Sequence, residues 1–173
     1  MTRMNWIPSL VLGMAMGIVT MLSGTARADE ALVKSGETVV FLGDSITQGG
    51  AQPGGYVRLA EEVLAKKGIK VIGAGISGNK VPDLEGRLER DVLSKKPNLV
   101  VIYIGINDVW HSKNGKGTPK DVFETGLKSL IKRNADIGAR TLLCTASVIG
   151  EKTDGSNSLD GMLKEYCEIS RKV

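Results

Sequence analysis

Three short stretches carry side chains that could perform nucleophilic chemistry: Gly43-Asp44-Ser45-Ile46-Thr47, Gly75-Ile76-Ser77-Gly78-Asn79 and Gly105-Ile106-Asn107-Asp108. Each follows an apolar run. In the first, a serine directly after a strand projects its hydroxyl above the sheet edge, and its own backbone N–H is free to point at a developing oxyanion. Asp44 adjoins it. Adjacent side chains diverge, so Asp44 orders the turn rather than acting as a base, and it is also carried as a candidate substrate contact. In the second stretch Gly78, lacking a Cβ, can bring its N–H close to a ligand. In the third, Asn107 can donate its side-chain amide to the same oxyanion. Any one of them is also an ordinary turn: a G-D-S corner, a glycine-rich loop, an Asn-Asp pair at favourable turn positions. In this order, each at the end of a successive strand, they describe a serine acyl-transfer site.

The surrounding blocks read F-L-G-D-S-I-T-Q-G, G-I-S-G-N-K-V-P-D-L and Y-I-G-I-N-D-V-W. In them the chain resembles the GDSL family of esterases and lipases, also called SGNH hydrolases, from about Thr38 to its end. The resemblance implies that Ser45 is the nucleophile and that Gly78 and Asn107 complete the oxyanion hole with the Ser45 amide. It implies a three-layer α/β/α fold on a flavodoxin-like parallel sheet. The implied reaction is hydrolysis of carboxylic esters, of lipid or sugar acyl groups, through an acyl-serine without cofactor or metal.

One family block has no counterpart. The family carries a D-x-x-H whose histidine activates the serine and whose aspartate orients the histidine. The only histidine here is His111. It lies four residues after Asn107 and could serve as base, as a substrate-pocket residue or as a solvated loop side chain. The expectation is therefore a C-terminally incomplete domain, lacking the last strand and helix, nearly inactive and marginally stable as it stands. A second reading is a catalytically inactive carbohydrate- or lipid-binding protein of the same fold. A nucleotide-binding reading is disfavoured, since the first loop lacks G-x-G-x-x-G and G-x-x-x-x-G-K-[ST].

Elements that would position these stretches alternate along the chain. Strands are expected over Thr38 to Leu42, Ile69 to Ile72, Asn98 to Ile104 and Arg140 to Val148. Helices are expected over Tyr56 to Lys67, Pro82 to Leu93, Pro119 to Ile137 and Leu159 to Val173, from apolar residues at helical spacing. Thr118 reads as the N-cap of the third helix with Pro119 at its first position, and Gly138 as its stop. Alternation of this kind gives a parallel sheet covered by helices, with strand order 2-1-3-4-5 if a fifth strand follows. The stretches 43–55, 73–81 and 105–117 are then loops beyond the strand ends.

Residues 1–28 read as a secretory signal peptide: Arg3, an apolar run from Leu10 to Leu22, then Ala26-Arg27-Ala28 as the cleavage pattern; an uncleaved anchor is the alternative. The domain is then 29–173, and the protein is secreted or periplasmic. The chain carries 23 Lys+Arg against 19 Asp+Glu. Removing Arg3 and Arg27 leaves a net charge of about +2, with the basic residues scattered, so no nucleic-acid surface is read. The partners expected are a small-molecule, carbohydrate or lipid ester, with no stable membrane span after cleavage. Cys144 and Cys167 could pair in an exported chain, although two buried free thiols suit their apolar settings better.

Overall fold

The computed structural model describes residues 31–147, 150, 152, 154 and 156–173. Residues 1–28, read in sequence as a signal peptide, lie outside the described residues. Four strands form one parallel sheet: β1 (Thr38–Gly43), β2 (Lys70–Gly75), β3 (Leu99–Tyr103) and β4 (Arg140–Cys144), in the order β2-β1-β3-β4. Among the described residues six α-helices accompany them: α1 (Ser45–Gly50), α2 (Tyr56–Ala65), α3 (Val81–Asp91), α4 (Ile106–Trp110), α5 (Lys120–Asp136) and α6 (Asp160–Lys172).

Alternate strand residues point to opposite faces. Val40, Leu42, Val100 and Ile102 pack with Val81, Leu84 and Leu88 of α3, Phe123, Leu127 and Leu130 of α5, and Leu163 and Tyr166 of α6. Val39, Leu99 and Val101 face the other way and pack with Val33, Val71 and Leu64 of α2. The two middle strands are thus apolar on both faces, as β1 and β3 read in sequence.

Several boundaries differ from the sequence reading, each for a packing reason. The second strand runs on to Gly75 because Gly73, Ala74 and Gly75 pair with Phe41, Leu42 and Gly43 of β1. The fourth strand stops at Cys144, where its partner β3 stops at Tyr103. On α2, Leu59 and Val63 are exposed and only Val57 is fully buried, so the inner face is narrower than its apolar content suggests. Likewise Val122 and Ala135 of α5 lie outside the core. Thr118 does not cap α5. Pro119 holds the N-cap position with no side-chain hydrogen bond. Thr118 is buried; its N–H donates to the Asp108 carbonyl at 3.0 Å and its carbonyl accepts the Tyr166 hydroxyl. Gly138 does follow α5 in the left-handed conformation. Both cysteines are free thiols, Cys167 buried and Cys144 half-buried. No helix among the described residues is long and apolar enough to cross a membrane.

Candidate active site

Parallel strands present their carboxyl ends on one edge, and the three stretches meet there. At the end of β1 the chain enters α1, a six-residue helix where the sequence reading expected a loop. So short a helix has little stability of its own and is held by its surroundings. Asp44 is its N-cap, and Asp44 Oδ1 accepts the Ile46 N–H at 2.9 Å. Thr47, fully buried, shares a 2.8 Å hydrogen bond with the Tyr56 hydroxyl. Ser45 is the first residue of this helix and is exposed. N–H groups of a first helical turn have no intrahelical partner, and with the Ile46 N–H taken by Asp44, that of Ser45 stays at the open end.

This seating requires glycine at the end of β2. A Cβ on Gly75 would stand 2.1 Å from the Gln48 nitrogen and 2.8 Å from the Asp44 carbonyl oxygen, both backbone atoms that cannot swing aside. Gly75→Ala is therefore expected to push α1 and Ser45 off the strand ends and to lower kcat by about 10²-fold, the cost of a displacement near 1 Å at a reacting group. A crystal structure of the variant together with its kcat checks this; wild-type kcat would show that α1 tolerates the shift.

The second stretch is tied to the first. The Ile76 N–H donates to the Gly43 carbonyl at 3.1 Å, and the Ser77 N–H to Gln48 Oε1 at 2.7 Å. Gly78 has φ +76°, a conformation glycine adopts without strain. No atom lies within 4 Å of where its Cβ would be. Glycine is thus demanded here by the backbone turn, and the space beside it is open.

The third stretch is also helical. In α4, Asn107 is 3% exposed, and its Nδ2 donates to the Asn79 carbonyl at 3.0 Å. A side-chain amide has two N–H groups, so one anchors Asn107 beside Gly78 while the other remains available. Asp108, fully buried, accepts the Val81 N–H at 3.1 Å. Burial pushes its carboxyl above the usual range, opposed by the Thr118 hydroxyl and the Val81 N–H. Asn107 and Asp108 together clamp the 79–81 segment.

The remaining sequence candidates lie as follows. Asp44 is 1% exposed and faces into the fold, so it serves the turn and offers almost no surface for the expected substrate contact. Burial pushes its carboxyl up, and the Ile46 N–H opposes the shift. His111 follows α4, is partly exposed, and sits 6.0 Å from the Trp110 ring. Among the described residues no hydrogen bond joins it to Ser45, and no group of three His, Cys, Asp or Glu is placed to hold a metal ion.

Arg87 escaped the sequence reading. It lies on the inner face of α3, 7% exposed, and bonds to Gly43, Ala74, Asn79 and Asp91. The available signal was a charge three residues after Leu84 and beside Leu88, on the apolar side of its helix. Hydrogen bonds from Arg90 and Arg87 hold the Asp91 carboxyl down at about 2. A carboxyl lowered on folding stabilises the fold above its unfolded value near 3.8, and that contribution disappears as pH falls from there through about 2. Asp91→Asn should thus lower Tm by roughly 4 °C at neutral pH. The gap should close between about pH 4 and pH 2. A gap that persisted at pH 2 would count against the charge pairing.

Residues 41–173 match the GDSL-like lipase/acylhydrolase family. The chain belongs to that family. An acetylxylan esterase of Geobacillus stearothermophilus is 38% identical over 161 residues, covering 82% of this chain and 71% of the relative. Among solved structures, the acetyl xylan esterase AlAXEase superposes with a TM-score of 0.74 at 48% identity, over 78% of this chain and 71% of that one. The Geobacillus stearothermophilus acetylxylan esterase superposes at 0.70 with 31% identity, over 81% of this chain and 72% of that one. It has also been solved as catalytic mutants in which alanine replaces a serine, an aspartate or a histidine. This GDSL-like hydrolase is thus a serine ester hydrolase with the expected parallel sheet and flanking helices, and the reading as an inactive binding protein is the less favoured one.

Proposed function

We propose that this protein removes acetyl groups from acetylated xylan-type carbohydrate through an acetyl-serine at Ser45. The observation that carries the reading is the 3.0 Å bond from Asn107 Nδ2 to the Asn79 carbonyl, which sets a buried amide donor beside the Gly78 turn. The Ser45 hydroxyl oxygen attacks the acetyl carbonyl carbon as its proton passes to a basic group or water at the open edge, and the carbonyl π electrons move to oxygen. That oxyanion is met by the N–H groups of Ser45 and Gly78 and by the second Nδ2 hydrogen of Asn107. Collapse breaks the bond from the acetyl carbon to the sugar oxygen, which takes up the proton that Ser45 gave and leaves as a hydroxyl. Water then attacks the acetyl-serine carbonyl, the bond to the Ser45 oxygen breaks as that oxygen takes back a proton, and acetate and a proton are released. The acetylxylan esterases among the relatives support the substrate class.

The test is hydrolysis of acetylated xylo-oligosaccharides beside p-nitrophenyl esters of rising chain length, with intact mass to catch acetyl-Ser45. Acetate release from the oligosaccharide, and a rate that falls beyond short acyl chains, are expected. Preference for long acyl chains would replace the carbohydrate reading with a lipid one.

Export is part of the same proposal, supported by the apolar run that ends in Ala26-Arg27-Ala28. The exported protein should begin at Asp29 when its N-terminus is sequenced. A soluble cytoplasmic protein retaining Met1 would end this part.

A further inference from the structure

We infer that Arg87 is the positioning residue of the oxyanion hole, holding the Ser45 turn and the Gly78–Asn79 turn at one fixed separation. The inference rests on the site roles proposed above. Its guanidinium reaches both turns, and it also holds the end of β2 and Asp91 of its own helix. Nη2 donates to the Gly43 carbonyl at 2.8 Å, and Nη1 to the Ala74 carbonyl at 3.0 Å. Nε donates to Asn79 Oδ1 at 2.7 Å. Nη1 also meets Asp91 Oδ2 at 2.8 Å, which supplies the countercharge.

The acceptors matter more than their number. The Gly43 carbonyl belongs to the peptide unit that leads into Asp44 and Ser45, so holding its oxygen sets the direction in which the chain enters α1. Asn79 follows Gly78 directly, and its own carbonyl receives the Asn107 amide. One rigid, planar group thus touches the chain just before the nucleophile and the residue that joins the other two donors. Only a guanidinium offers several N–H groups in a fixed fork; a lysine at this place is a single point with free rotation.

Stability alone gives a poor reason for the arrangement. A buried ion pair is often matched or surpassed by well-packed apolar side chains of similar volume. Position 87 lies beside Leu84 and Leu88, where such a side chain would suit the core. What an apolar residue could not do is fix three backbone and side-chain oxygens from three segments.

The test follows acetylation of Ser45 in the full chain by p-nitrophenyl acetate, read by intact mass over a range of ester concentrations. The measurement does not depend on turnover, since oxyanion stabilisation and binding persist without a complete triad. Arg87→Ala is expected to lower the maximal acetylation rate by roughly 30- to 100-fold, while the half-saturating ester concentration stays within about twofold. Arg87→Lys should recover only a minor part, and millimolar guanidinium should restore much of the rate to Arg87→Ala. In the 1H–15N spectrum of Arg87→Ala, the Asn107 side-chain amide and the Gly78 N–H should shift.

Leu88→Ala, a core truncation on the same helix, controls for lost stability. It should keep the wild-type rate at temperatures where it is folded. If it slowed acetylation as much as Arg87→Ala, and guanidinium restored nothing, Arg87 would be merely structural and the inference would fail. Should Arg87→Ala melt below the assay temperature, Arg87→Lys carries the test, and a wild-type rate in that variant would overturn the inference. Asn107→Ala run alongside separates the two readings. If it too leaves acetylation unchanged, the oxyanion-hole assignment fails and this inference with it. If it slows acetylation while folded Arg87→Ala does not, only the role of Arg87 is lost.

Discussion

Asn107→Ala is expected to lower kcat on p-nitrophenyl acetate by about 10²–10³ while KM stays within about twofold. In its proposed role the amide acts mainly on charge that develops in the transition state, so its loss falls on the chemical step rather than on ester binding. Its setting sharpens the expectation. Asn107 is 3% exposed and one of its N–H groups is already committed to the Asn79 carbonyl, so the donor is oriented before substrate arrives and little is lost in reorganisation. Truncation removes the donor and also frees the Asn79 carbonyl, which loosens the turn that carries Gly78. Asn107→Asp is the informative companion: it keeps the size but replaces the donor with an acceptor, and should be as damaging as alanine or worse. Steady-state kinetics on both variants, with circular dichroism to establish folding, provide the check. Unchanged kcat in Asn107→Ala would remove this residue from the mechanism.

Appending an Asp-x-x-His segment of the family beyond Val173 is expected to raise kcat by about 10²–10⁴, the contribution of a positioned general base. A serine hydroxyl is mostly protonated at neutral pH and attacks poorly without a proton acceptor at hydrogen-bond distance. The only histidine of the 173 residues is His111, which lies beyond α4 beside Trp110 with no hydrogen bond to Ser45. His111→Ala should accordingly leave ester hydrolysis within about twofold, both with and without the appended segment. The pH profile provides a second check. With the histidine supplied, kcat/KM should rise with pH through an apparent pKa near 6–7, as a neutral imidazole is required. If the shorter chain were already as fast and His111→Ala abolished the activity, His111 would be the base.

The proposed site was legible in sequence because its chemistry is local. Ser45, Gly78 and Asn107 each sit in a short block directly after an apolar run, and a parallel sheet necessarily delivers its strand ends to one edge. The alternation of strands and helices was legible for a similar reason: runs such as Leu99 to Tyr103 are apolar throughout, and a strand covered on both faces needs that composition. Tertiary structure decided the rest. Helices α1 and α4 have five or six residues, too few for a periodic pattern, and exist because neighbouring segments hold them. Leu59, Val63 and Val122 are apolar residues at helical spacing yet exposed; which flank of a helical stripe is covered depends on the angle at which the helix meets the sheet. Thr118 had the chemistry of an N-cap, yet the buried Asp108 and the Tyr166 hydroxyl drew its segment inward. Arg87 shows the limit most clearly. Apart from Asp91, four residues on, its acceptors lie 8, 13 and 44 residues away along the chain, so no local pattern could name them. Only the folded sheet brings the ends of β1 and β2 and the Gly78–Asn79 turn within reach of one guanidinium.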